Sequence, residues 1–75
     1  MKYRLEGTTI EAIDTYVRVT LGNGKCAVTK NETPSAEEVA LLLSDLQGYW
    51  PNSAQLMACS RAARDSRDNV IELAI

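Results

Sequence analysis

The stretch that decides the fold runs Thr15-Tyr16-Val17-Arg18-Val19-Thr20-Leu21, then Gly22-Asn23-Gly24, then Lys25-Cys26-Ala27-Val28-Thr29-Lys30. Its first part is β-branched and aromatic, and such side chains fit a pleated, half-buried surface better than a helix. The Gly-Asn-Gly that follows tolerates the positive φ angles of a tight hairpin turn. The chain therefore returns as a strand, and alternation predicts Cys26 and Val28 facing in, with Lys25, Ala27 and Thr29 facing out.

Working outward from this hairpin, Ile10 to Leu21 is ambiguous, since Ile10, Ile13 and Val17 would suit a helical stripe, and the β-branched run Thr15–Thr20 decides for a strand. Ile13, Val17, Val19 and Leu21 fall on its inner face, and its first residues read as irregular or bulged. Gly7-Thr8-Thr9 connects it to Met1–Glu6, where Tyr3 and Leu5 alternate with Lys2, Arg4 and Glu6 as in a half-buried strand.

Downstream the pattern turns helical. Ser35 with Glu38 three positions on is a capping box, Glu37 adds favourable charge to the helix start, and Thr33-Pro34 offers an alternative start. Val39, Leu42, Leu43, Leu46 and Trp50 recur as one apolar stripe, and Gly48 and Pro51 end the helix. Asn52 or Ser53 caps a second helix, with Gln55 three residues after Asn52. Leu56, Met57, Cys59, Ser60 and Ala63 give it a thinner face of mostly small residues. Arg61 with Asp65 and Arg64 with Asp68 stand at the i,i+4 spacing of surface ion pairs. After Asp68-Asn69, Val70–Ile75 reads as a last strand, with Ile71, Leu73 and Ile75 on one face. Pairing it beside the first strand would protect an otherwise sticky edge. The expectation is a single α+β domain over 1–75: an antiparallel sheet of order βββ-α-α-β packed on one or two helices.

Composition sets the limits. At 75 residues the chain is near the lower size for a useful core, hiding about 60% of its unfolded surface. Per-residue averages give a stability of about 4–11 kcal/mol. The apolar fraction of 45% and net charge of −2 are those of a folding chain, with no general basic footprint for nucleic acid. Lys2 and Arg4 lead into Leu5 and Glu6 rather than into the apolar run of a secretory leader. Val39–Leu43 is the longest wholly apolar run, far short of the ~20 residues of a membrane span. A cytoplasmic protein without membrane contact is expected.

Chemistry-bearing groups are sparse. Histidine is absent, which removes the commonest general base and metal ligand and every Ser-His or Cys-His couple. Cys26 and Cys59 lack the neighbours of a zinc site and read as reduced, partly buried small hydrophobes. Gly22-Asn23-Gly24 lacks the Lys-Ser/Thr ending of a phosphate loop. Glu37 and Glu38 are explained by capping, and Glu11 and Asp14 by a wetted rim rather than a magnesium site. No catalytic residue, metal ligand or cofactor is assigned, and the chain is read as no enzyme.

What remains is surface. Tyr49-Trp50 before Pro51 sits at a corner, and Trp often anchors interfaces. Trp50 also falls on the apolar stripe, which favours its burial, whereas Tyr49 and Tyr16 lie off the inner face. Arg61, Arg64 and Arg67, spaced by three, form either an anion-contacting stripe or a solvated face neutralised by Asp65 and Asp68, the latter being the simpler account. Candidate partner-binding residues are thus Tyr16, Tyr49, Trp50, Arg61, Arg64 and Arg67. A small nucleic-acid-binding regulator using the Arg stripe is the alternative, and strand edges also allow a homodimer. In size, in the expected element order, in its capped helix starting Ser35-Ala36-Glu37-Glu38-Val39 and in a Trp near that helix's end, the chain resembles very small phage-encoded inhibitors, including anti-CRISPR proteins. That resemblance implies the cytoplasm of a host cell and a larger protein or ribonucleoprotein partner. It implies blockage of a bacterial interference complex, and it carries over no residue roles.

Overall fold

The computed structural model describes the backbone of residues 1–73 and the side chains of residues 1–71. It is an α+β domain of four antiparallel strands followed by two helices: β1 (Lys2–Leu5), β2 (Thr8–Ile13), β3 (Tyr16–Leu21), β4 (Cys26–Val28), α1 (Ala36–Gln47) and α2 (Ser53–Leu73). The strands pair in chain order as a meander.

The middle strand of the sequence reading is two strands. Ile13 pairs with Tyr16 across Asp14-Thr15, and Asp14 takes the left-handed φ of 54° that the turn requires. Asp tolerates that region because its short side chain can bond locally. Splitting the strand also moves Ile13 to the face opposite Val17, Val19 and Leu21.

Register then fixes two faces. Tyr3, Ile10, Val19 and Ala27 stand in one row across the sheet, and Leu5, Thr8 and Leu21 in the next. Both rows face the helices. Lys2, Glu11, Arg18 and Val28 form a row on the other face. The return strand is therefore out of phase with its expected alternation: Ala27 points toward the core, and Cys26 and Val28 are exposed. A one-residue change of register reverses every side chain of a strand, and β4 has only three residues to resist it.

The helices form an antiparallel hairpin over the inner face. α1 packs on β3 and β4, α2 on β1 and β2. Ser35 Oγ accepts from the Glu38 amide at 3.1 Å, so α1 starts as predicted. It ends at Gly48, left-handed at φ 91°, whose amide donates to Ser44 at 2.8 Å. That end places Trp50 outside the helix, and the residue expected to complete the buried stripe is exposed instead. The core is Ile10, Val17, Val19, Val39, Ala40 and Leu43 from the sheet and α1, closed by Ala58, Cys59, Ala62 and Ala63 of α2. Those small residues let α2 lie close to both layers. Met57 and Ser60, expected on this face, are exposed.

No terminal strand forms among the described residues. α2 runs on through Leu73, and Ala74 and Ile75 lie outside the described part. At 1.5 Å per residue it is about 31 Å long against about 20 Å for a six-residue strand. Asn69 Nδ2 donates to the Asp14 carbonyl at the β2–β3 turn, so residues beyond it pass the end of the sheet, and Ile71 is 66% exposed. Through Leu73, the alternation read as a strand is the overhang of a helix that no Gly or Pro interrupts.

Leu43 fills the centre of the core. Leu43→Ala is expected to cost about 2–5 kcal/mol in urea unfolding, whereas Leu41→Ala, on the exposed side of the same helix, should stay within about 0.5 kcal/mol.

Candidate functional site

Five residues, Gly48–Asn52, join the two helices, and Tyr49 and Trp50 project from them with 62% and 54% of their surface exposed. The segment is held from below by a buried amide. Asn52 Oδ1 accepts from the Gln55 amide N–H at 2.9 Å, and Gln55 Oε1 accepts from the Asn52 N–H at 3.0 Å. This is a reciprocal capping box at the start of α2, as the Asn52-to-Gln55 spacing predicts. Gln55 does more than cap. Its Nε2 donates to Gln47 Oε1 at 3.0 Å and to Thr8 Oγ1 at 3.4 Å. Gln47 Nε2 returns a bond to Gln55 Oε1 and another to the Tyr49 carbonyl at 3.0 Å. One side chain, 5% exposed, thereby joins α1, α2, β2 and the connector. Pro51, in the same connector, is buried. The corner is a braced shelf that presents two aromatic rings to solvent.

The other candidates lie elsewhere. Tyr16 flanks the β2–β3 turn at the opposite end of the sheet from this corner, and it is half-buried. Arg61, Arg64 and Arg67 are exposed along α2, so the six residues do not form one site. The expected Arg61–Asp65 and Arg64–Asp68 pairs do not form within 4.0 Å among the described residues. Asp65 instead accepts from the Tyr3 hydroxyl at 2.7 Å. That bond, together with burial, raises the Tyr3 pKa above its ordinary value, with a smaller opposing pull from Arg61 and Arg64. Asp65 also lies 3.5 Å from the terminal amine of Met1.

The outer face of the sheet holds the sharpest departure from the rim assignment. Glu11 is 7% exposed, covered by the two cations that flank it in its row. Arg18 Nε donates to its carboxylate at 3.1 Å, and Lys2 Nζ lies 3.6 Å away. The Arg18 hydrogen bond is the main cause of a lowered Glu11 pKa, and it outweighs the opposing effect of burial. Asp14 is not part of this cluster; it sits in the β2–β3 turn. Of the cysteines, Cys26 is exposed at the sheet edge, and Cys59 is buried, its thiol pushed up to about 11 by burial.

Comparison with protein-family models, with curated proteins and with solved structures finds no match to this chain.

Two outcomes follow from this geometry. Gln55→Ala removes the bonds to Asn52, Gln47 and the buried Thr8 and should cost about 2–3 kcal/mol in thermal or urea unfolding, against about 1 kcal/mol for Asn52→Ala. Because the folded-state pKa of Glu11 is depressed, its carboxylate stabilises the fold above the ordinary carboxylate range, and that contribution is lost as pH falls through the folded value. Glu11→Gln should therefore flatten the acid side of the stability-versus-pH curve while leaving the alkaline side unchanged.

Proposed function

We propose that this chain is a protein-binding module without chemistry of its own, an inhibitor or adaptor that covers a surface on a larger protein or ribonucleoprotein complex. The observation that carries this reading is the exposed Tyr49–Trp50 pair on a hydrogen-bonded shelf. Leaving a Trp half in water forgoes burial worth on the order of 2 kcal/mol, a cost that a partner's surface would recover. Trp and Tyr dominate interface hot spots because they offer large, stiff contact area. A shelf already fixed by Gln47, Asn52 and Gln55 loses little further freedom on docking, which leaves more of the contact energy as affinity. A bacterial interference complex is the partner implied by the resemblance to small phage inhibitors. The observed order ββββαα differs from the order on which that likeness was drawn, so the partner's identity rests on the remaining likeness in size and capped helix.

Trp50 is the single Trp of the chain and reports on its own burial. The free protein should show the emission of a water-exposed indole that acrylamide readily quenches. Affinity capture from a bacterial lysate should recover a stoichiometric partner with the wild-type chain. Purified, that partner should blue-shift Trp50 and protect it from quenching. Tyr49→Ala and Trp50→Ala should each weaken binding by about 2 kcal/mol. A partner that binds both variants as tightly as wild type, or leaves Trp50 emission unchanged, would refute the corner as the binding surface.

A further inference from the structure

β1 is the end strand of the sheet, and parity of the ladder tells which of its backbone groups are free. The two-residue turn Glu6-Gly7 is closed by Leu5 and Thr8, and residues that close such a turn are a hydrogen-bonded pair. Bonded and non-bonded pairs alternate along an antiparallel ladder, so Tyr3 and Leu5 bond β2. The Thr29 amide bond to the Val17 carbonyl confirms the same parity on the far side of the sheet. The N–H and C=O groups of Lys2 and Arg4 consequently point away from the sheet, along its open edge.

Beside that edge runs a groove, walled on its far side by α2. It has two stretches of about 340 and 290 Å³ that share Tyr3 and Arg61. α2 runs from Gln55 near Thr8 to Asn69 near Asp14, so the groove grades along its length. Leu5, Ala54 and Met57 make one end apolar, and Arg61 and Arg64 make the other end basic. Arg4, Arg61 and Arg64 form no ion pair within 4.0 Å among the described residues, and Asp65, the expected partner of Arg61, accepts from Tyr3.

We infer that this groove accepts an extended acidic peptide segment of a partner protein, added as a fifth strand on β1. The edge supplies up to four backbone bonds from Lys2 and Arg4, enough to order a short strand. One row of the incoming side chains meets Met57 and then Arg61 and Arg64, and the other row meets Arg4 and, beside it, Lys2, which Glu11 already engages in part. Both rows favour carboxylates. A second copy of this chain is the wrong occupant, since a two-fold β1–β1 pairing sets Lys2 against Arg4 and like charges opposite each other are unfavourable. Nucleic acid fits less well than peptide: the groove floor carries the Asp65 carboxylate, and its one aromatic ring, Tyr3, faces the core with its hydroxyl engaged.

The inference shares with the proposed function only the premise that the chain binds protein, and it uses a different surface, so each can fail alone. The test is fluorescence anisotropy with a labelled, acetylated Val-Glu-Glu-Val-Glu-Glu peptide amide, which places carboxylates in both rows. Comparison probes are the Val-Lys counterpart, the same acidic peptide N-methylated at every amide so that neither of its edges can pair, and an oligothymidine. Binding of the acidic peptide is expected, weakened about tenfold or more by Arg61→Glu with Arg64→Glu, absent for the N-methylated and Lys peptides, and unchanged by Trp50→Ala. Thermal unfolding verifies that the charge-reversed chain is folded, and Arg61→Lys with Arg64→Lys should bind nearly as wild type. No binding of the acidic peptide at millimolar concentration would show that the cations only guard the edge. Equal binding of the N-methylated peptide would rule out strand addition. Tighter, salt-sensitive binding of oligothymidine would make the groove a nucleic-acid site. Each of these overturns the inference.

Discussion

The bonds of one buried amide tie the helix hairpin to the sheet at the corner where the aromatic residues stand. An amide removed from water is costly unless its donors and its acceptor all find partners. Gln55 finds them in Asn52, Gln47 and Thr8, which belong to the connector, to α1 and to β2. Satisfying that single side chain therefore requires the helix hairpin and the sheet to sit in one relative position. A network satisfied at every member also specifies one geometry, where an apolar contact would tolerate several. The aromatic corner inherits its rigidity from this constraint, because Gln47 reaches from the same network to the Tyr49 carbonyl.

The remaining architecture follows from covering one face of a meander. Large apolar side chains from β2, β3 and α1 fill the centre, and the alanines and Cys59 of α2 allow the second helix to close over them. The opposite face stays in water. There the Lys2–Glu11–Arg18 row replaces apolar cross-strand contacts with a carboxylate held between two cations. That arrangement consumes Lys2 and Arg18 in part, and it leaves Arg4, Arg61 and Arg64 as the cations available to a partner along the β1 flank.

Much of this was legible in the sequence wherever local chemistry and tertiary packing agreed. The Gly22–Gly24 turn, the Ser35 cap and the Asn52–Gln55 box are short-range signals, and each appears where its spacing predicts. The misread elements are those in which local pattern is ambiguous and long-range packing decides. Asp14-Thr15 turns the chain without a glycine, so a hairpin passed as one long strand. Val70–Ile75 alternates like a strand, yet nothing before it breaks the helix, and propagation of α2 carries through Leu73. β4 is so short that its alternation did not fix which way its side chains point. Trp50 fitted the α1 stripe by spacing alone, but the left-handed Gly48 ends the helix before the stripe reaches it. The bracing role of Gln55 carried one sequence signal, its spacing from Asn52; its bonds to Gln47 and Thr8 depend on the fold.

On the proposed function, the Tyr49–Trp50 shelf is formed before any partner arrives. Backbone ¹⁵N relaxation of the free protein tests it most directly. If the shelf is preformed, Tyr49 and Trp50 amides will show order parameters of about 0.85, equal to those of α1 and the start of α2. Values below about 0.6 at these two amides, alongside rigid helices, would mean an ordinary flexible linker and would contradict the account.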